Sequence, residues 1–420
     1  MVTGWMMMSS ANAYEPRIRY LSSSPYGDII PDKIALESPL PLRLSDVDGT
    51  GEGGHRIGLT YGQYLETIKA FLSRDSYRLL INAIKKKTGK MITLQDIDSL
   101  AIRTEKHGAM YHISSIDVIT ANDLNKFVVT AALSEAGKLY LKNDFHWLNY
   151  LNNRFPFLYL PRIYHKGEMK YRTSQGADDT MLISLGEWLE GYHEFHLSLD
   201  GKDQSQKIII WDSDNGYRYL SDQQSYNIYR LASRILTLYY NIDTFEQISL
   251  WHHAAGDFIV RIEGEDIDLK LITVRRYEPM ISFSTDEKGN NMAALLYFFV
   301  HLMIRMRMDR LDGTGEVAWA DDFCPDAVMK GFYEALEIKE AMSRPGSINK
   351  EALLASLKLF TRDDWEDMAH ATLQTCPQPE ADIPVIMRNL DNHIERLYAV
   401  IQSFQPDSPA SSTSSADQVP

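Results

Sequence analysis

Between Trp251 and Val260 the chain reads Trp-His-His-Ala-Ala-Gly-Asp-Phe-Ile-Val, which sets two imidazoles, His252 and His253, close to the carboxylate of Asp257. Histidine is the side chain whose charge changes near neutral pH, so it can accept or deliver a proton. An aspartate supplies hard oxygen ligands of the kind magnesium takes. Further along, Thr273-Val274-Arg275-Arg276 adds two adjacent guanidinium groups. These would bind an anion directly and oppose a metal ion beside them. Two readings follow: a metal-free site for a nucleotide or phosphorylated metabolite, or, favoured because structural ion-pair networks are common, an interior pairing of one arginine with Asp257 or another carboxylate while the other reaches solvent.

Other groups give weaker signals. His193 and His196 stand near His252 and His253 in kind, but the HxxH spacing is not that of a helical zinc motif and no cysteine lies close. Ordinary core or surface histidines explain them better. The run Arg305-Met306-Arg307-Met308-Asp309 closes an apolar stretch, and charges at such depth need partners. It predicts a bracing network, with Asp309 as a further candidate to face Asp257. Lys85-Lys86-Lys87 precedes Gly89 and reads as a solvated helix end, where cations suit the terminus and glycine the left-handed cap.

The elements that would hold these groups can be traced from periodicity. A helical pattern runs from Tyr61 to Lys87. Residues 91–133 switch to period two and predict two or three antiparallel strands, turning at Lys106-His107-Gly108 and Ala121-Asn122-Asp123. A helix follows from Glu135 to Asn152, then strands at Phe157–Tyr164 and Met181–Leu185. Ser225–Tyr240 is an amphipathic helix, residues 258–262 and 267–274 form a strand pair, and helices are expected at 291–310, 325–341, 349–358, 362–374 and 382–404. The organisation predicted is a mostly disordered segment 1–58, a helical extension 59–90, a sheet-containing part 91–190, a helical part 191–405 and a disordered tail 406–420.

Composition bounds the function classes. The chain has 420 residues, 44% of them hydrophobic, enough for a two-part fold with a substantial core. A net charge of -14, from 57 acidic and 43 basic residues, argues against a general nucleic-acid surface. The two cysteines, Cys324 and Cys376, lie in no CxxC spacing and predict buried thiols in a reducing compartment. The most apolar stretch, Met292 to Met308, is broken by His301, Arg305 and Arg307, so no membrane insertion is expected. The first residues lack the charged start of a signal peptide, and a cytoplasmic protein is expected.

The order of strands, helix, strands, acidic connector and helical half resembles the bilobal kinase-like fold, nearer the aminoglycoside and choline phosphotransferases than the protein kinases. Four places carry the likeness: the turn at Gly108, the connector Glu187-Trp188-Leu189-Glu190-Gly191, the segment Trp251 to Val260, and Leu269 to Tyr277. The resemblance implies an α+β fold and a nucleotide site, ATP with or without magnesium. Gly108 would lie in the loop covering the phosphates, Glu187, Trp188 and Leu189 in the hinge beside the base. Asp257 would stand at a metal-ligand position and His252 at the base position, with His253 beside it. The same resemblance calls for a strand lysine and a second metal carboxylate. Ala131 stands at the expected lysine position, Asn143 or Asp144 at its helix partner, and Arg275-Arg276 where the carboxylate belongs.

These departures point to a pseudokinase-type binding or regulatory module, with a protein partner as one expectation. The alternative is a divergent ATP-dependent phosphotransferase acting on a small molecule or protein through His252 or His253, Asp257 and Asp309. A third motif, Asp46-Val47-Asp48-Gly49-Thr50, resembles the nucleophile segment of haloacid-dehalogenase-like phosphatases. That resemblance implies Asp46 as nucleophile and Asp48 as acid/base, with Asp321-Asp322 as the later acidic pair. Pro39 and Pro41 disfavour the buried strand that should precede it, so a turn is the better reading.

Overall fold

The computed structural model describes residues 14–24, 26–41, 58–108, 110–173, 176–212, 216–249, 251–253, 256–282, 290–342, 349–376 and 378–406. Asp46, Asp48 and most of the expected C-terminal tail lie outside the described residues. The chain divides into two compact units, Met1–Phe145 with Arg162–Trp188, and His146–Pro161 with Leu189–Pro420. One is built on a sheet and the other is largely helical, the α+β class expected from the sequence.

In the sheet unit the elements run β1 (Arg17–Ser22), α1 (Lys33–Glu37), α2 (Tyr61–Leu72), α3 (Arg74–Thr88), β2 (Ile97–His107), β3 (His112–Thr120) and β4 (Leu124–Ala132). Helix α4 (Glu135–Arg154) follows, divided between the two units, and then β5 (Ile163–Arg172) and β6 (Asp178–Glu187). The six strands are ordered β1-β2-β3-β4-β6-β5, all antiparallel except the parallel pair β1 and β2. The apolar stripe of α2 and α3 packs Ile68, Phe71, Leu72, Leu80 and Ile84 against Leu100, Ile116, Phe127 and Ile183. Burying side chains of this size stabilises by roughly 1.5–3 kcal/mol each.

Three expectations change here. The strand β1 sits within the segment expected to be mostly disordered, where its register, Arg17 opposite Ser99 through Ser22 opposite Thr104, satisfies the edge of β2. The single helix expected over Tyr61–Lys87 is two, because Asp75, Ser76 and Tyr77 take left-handed φ values of 49°, 56° and 62°. The strand expected at Phe157–Tyr164 begins only at Ile163. Residues 157 to 159 instead give their carbonyls to Tyr239, Lys270 and Leu271 in the helical unit to which they belong.

The helical unit begins with a three-stranded sheet of β7 (Glu194–Leu199), β8 (Gln206–Trp211) and β9 (Arg218–Tyr219). Then come α5 (Asp222–Tyr239), β10 (Glu246–Ser249), β11 (Phe258–Glu263), β12 (Asp266–Leu271) and β13 (Arg276–Pro279). The remainder is α6 (Asn290–Arg305), β14 (Met308–Arg310), β15 (Val317–Trp319), α7 (Phe323–Met342), α8 (Lys350–Leu359), α9 (Arg362–Thr375) and α10 (Ile383–Ser403). Ser221 caps α5 through a reciprocal box with Gln224, which satisfies two N-terminal N–H groups. Helices α5 and α7 cross at Gly331, where a Cβ would stand 1.9 Å from the Arg230 carbonyl oxygen. Only glycine allows that approach. Nη1 of Arg230 donates to both Glu334 carboxylate oxygens, at 2.8 and 2.9 Å, and the pair flanks the crossing.

Candidate functional site

The hairpin of β11 and β12 fixes Asp257 at its base, one residue before Phe258 pairs with Leu271. The main chain closes the base further, because the Ile272 N–H donates to the Asp257 carbonyl at 2.8 Å. The Asp257 residue is 1% exposed. Its carboxylate accepts from both terminal nitrogens of Arg275, Nη1 to Oδ2 at 2.5 Å and Nη2 to Oδ1 at 2.6 Å. It also accepts from the Thr273 hydroxyl at 2.9 Å and from the His252 backbone N–H at 2.8 Å. Four donors therefore surround two oxygens, and the charge is met by a planar, bidentate guanidinium. Arg276, next in the chain, turns the other way: its side chain is 57% exposed and lies 3.4 Å from Glu278.

Gly256 approaches the same corner with φ of 66°, and a Cβ there would meet the Glu194 carboxylate at 3.0 Å. Glycine is required by both the backbone and the space. His252 continues the network through its ring, with Nε2 3.8 Å from Asp382. Asp382 in turn accepts from Arg305 at 2.6 Å. Burial works against the Asp382 charge, but His252 and Arg305 beside it hold its carboxyl below the usual range. Charges thus alternate from Arg275 through Asp257, and from Asp382 to Arg305, with His252 between.

His253 faces a different environment. It is 2% exposed and ringed by Phe195, Tyr229, Trp251 and Phe258 at centroid distances of 5.3 to 5.9 Å. Neither ring nitrogen has a hydrogen-bond partner among the described residues. Burial pushes its pKa down to about 4, so at neutral pH it is an uncharged core imidazole.

The expected bracing network is present around Arg305 and Arg307. Arg307 donates to the Ala320 carbonyl and to Asp322, both at 2.8 Å, and lies 5.0 Å over the Trp319 ring. Asp309 is 1% exposed and accepts from the Leu197 N–H at 2.9 Å, with His196 Nδ1 3.8 Å away. His196 packs against Trp211 at a ring-centroid distance of 4.5 Å, the rings tilted by 55°, and has Glu194 3.9 Å away. Burial opposes its charge, yet Asp309 and Glu194 raise its pKa on balance. The His196, Asp309 and Glu194 grouping is not visible in the sequence, because the three residues come from two short strands that periodicity does not resolve.

In the sheet unit, the Gly108 N–H closes its turn on the Tyr111 carbonyl at 2.8 Å. The Tyr111 hydroxyl donates to Asp144 at 2.7 Å, so the helix position expected to partner a strand lysine bonds a tyrosine. Ala131 lies in the core shared with α2 and α3, whereas Ala132 packs with Leu141 of α4. Neither position supplies an amine. Glu187 accepts from the Arg162 N–H at 3.1 Å, and Lys126 sits 4.4 Å over the Trp188 ring. Leu189 is half-buried and opens the other unit.

Magnesium does not fit this chemistry. Binding at Asp257 would have to displace a bidentate arginine, and Thr273 to Arg276 brings no second carboxylate. Among the described residues, no three His, Cys, Asp or Glu side chains are grouped to hold a metal ion. Cys324 and Cys376 are both buried free thiols, pushed up by burial to about 12 and about 11, so neither is a poised nucleophile. Among the described residues, no helix is long and apolar enough to cross a membrane.

No family model matches the chain, and no curated protein matches it. Among solved structures it is similar to the L. pneumophila effector kinase LegK7 in complex with human MOB1A. The identity is 10%, over 83% of this chain and 70% of that one, with a TM-score of 0.22. At that score the likeness carries no argument about function.

Proposed function

We propose that this chain is a kinase-like binding or regulatory module that does not carry out magnesium-dependent phosphoryl transfer. The observation that supports it most is the bidentate pairing of Arg275 with Asp257. Phosphoryl transfer relies on cations that clamp the phosphates, held by carboxylates kept open for them. Here the carboxylate is closed by a cation tethered to the chain. An arginine in that place repels a divalent ion and leaves no lone-pair direction free for one. The alanines at the end of β4 support the same reading. Any nucleotide or phosphorylated metabolite the module takes would then bind without magnesium.

Thermal unfolding with ATP, ADP or neither, each with and without magnesium, tests this. A ligand that binds only the native state raises the melting temperature by mass action, about 2.7 kcal/mol at a hundredfold excess over Kd. The expected result is a shift indifferent to magnesium, or no shift. A magnesium-dependent shift that disappears in D257A, or ATP-dependent phosphorylation of any substrate by the purified protein, would overturn the proposal.

A further inference from the structure

A cavity of about 500 Å³ opens within the helical unit between β8, the first turns of α5 and the start of α7. That is a volume suited to a small organic ligand or a peptide side chain with its flanking backbone. The frame is rigid. Gln206 ties one wall to another, donating to the Trp319 carbonyl at 3.0 Å and accepting from the Asp321 N–H at 2.9 Å. Tyr226 and Phe323, both half-buried, supply aromatic surface, and the buried Leu197 and Ile208 stand behind them.

The charges are unbalanced. Lys207 is the one basic residue of the lining, and Asp200 already holds its ammonium at 2.7 Å. Asp222 and Asp321 also line the cavity; neither carboxylate makes a hydrogen bond or close ion pair among the described residues, although Asp222 adds to the field that favours the Lys207 charge. Burial raises the pKa of Asp321, and Asp322 adds to the rise against the opposing pull of Arg307. Both carboxylates belong to exposed residues, so they stand hydrated at the mouth of the cavity, where an entering cation can reach them.

We propose that this cavity binds an arginine side chain, presented free or within a peptide. A guanidinium is planar, weakly hydrated and forked, so one group can donate to the carboxylates while its face lies on an aromatic ring. The aliphatic stem would run past the half-buried Phe323. An ammonium could meet the charge, but not the fork and the ring together. This inference stands apart from the reading of Asp257 and survives or fails without it.

Titration calorimetry on the full chain, with no nucleotide present, tests it with four probes. They are L-arginine, an N-acetylated and C-amidated Gly-Arg-Gly peptide, and the lysine and citrulline versions of that peptide. The arginine peptide is expected to bind at least tenfold more tightly than the citrulline peptide, and more tightly than the lysine peptide. D321N and D222N are each expected to weaken it tenfold or more, while K207M leaves it unchanged or tighter. Far-UV circular dichroism checks that each variant is folded. Affinity should fall as pH drops through the raised Asp321 titration. Binding of L-arginine as tight as the peptide assigns the site to the free amino acid, and peptide binding alone assigns it to a protein partner. Equal binding of arginine and citrulline peptides, or wild-type affinity in a folded D222N/D321N double variant, would overturn the inference.

Discussion

A carboxylate as buried as Asp257 needs a compensating charge, and Arg275 provides it in a geometry that leaves little slack. The two partners are not equivalent. The Asp257 side chain is 1% exposed, whereas Arg275 keeps 22% of its side chain in contact with solvent. Truncating the arginine strands a charge in the interior, while truncating the aspartate leaves a guanidinium that can turn to water. R275A is therefore expected to cost about 3 kcal/mol, with D257A costing less. The double change D257L/R275L should return part of the loss, since removing a buried pair together is often close to neutral, less what the His252 N–H and the Thr273 hydroxyl lose with their acceptor. Urea midpoints for the wild type and the three variants complete the cycle. If R275A falls within about 0.5 kcal/mol of wild type, the range of an ordinary surface change, the pair is not what holds this corner. The sequence named both groups and favoured the reading in which one arginine pairs with an interior carboxylate and the other reaches solvent, but it could not say which arginine does which. Which of Arg275 and Arg276 faces inward depends on how the chain leaves β12 and enters β13, where Arg276 pairs opposite Ser249 on the strand β10.

At the scale of elements, legibility followed periodicity. β2, β3 and β4 were readable because β-branched and aromatic residues alternate along them and the turns at Gly108 and Asn122 punctuate them. α5 and the C-terminal helices were readable from their apolar stripes. β7 to β9 were not, since six-residue and two-residue strands set among charged loops give too few alternations to register. The break between α2 and α3 was hidden for another reason. Asp75, Ser76 and Tyr77 include no glycine or proline to signal a left-handed stretch, and of the three only Tyr77 is buried. Helix crossings are the least legible feature, because they depend on two distant residues at once. Gly331 shows it: nothing in α7 alone demands glycine, yet the Arg230 carbonyl occupies the space where a Cβ would go. G331A should push α5 and α7 apart and cost about 3 kcal/mol, at the upper end of overpacking losses. Gly201 has open space around it, so G201A should stay within about 0.5 kcal/mol by the same denaturation measurement. Equal stability of the two variants would mean the crossing relaxes freely.

Across the whole molecule, buried histidines make stability depend on acid. His112 in the sheet unit and His253, His301 and His393 in the helical unit are all lowered by burial, the first two to about 4 and the others to about 3. His107 adds repulsion at His112, and neighbouring arginines add it at His301 and His393. In the unfolded chain each returns to its ordinary value of 6.5. Above that value both states are neutral and these groups leave stability flat. Between 6.5 and the folded value the unfolded state holds the extra proton, so stability falls as pH drops. Each group contributes a slope of about 1.4 kcal/mol per pH unit inside that window. His196 works in the other direction, since its raised pKa favours the folded state as acid is added. The urea midpoint is therefore expected to be level from pH 8 to 7 and to fall steeply from pH 6 to 5, before most carboxylates titrate. H253L removes one imidazole from its aromatic surround and should make that limb shallower by one proton's slope, whatever it does to stability at pH 7.5. An unchanged limb in H253L would mean that the acid sensitivity comes from the other histidines that burial lowers, and that the ring of Phe195, Tyr229, Trp251 and Phe258 admits a charged His253.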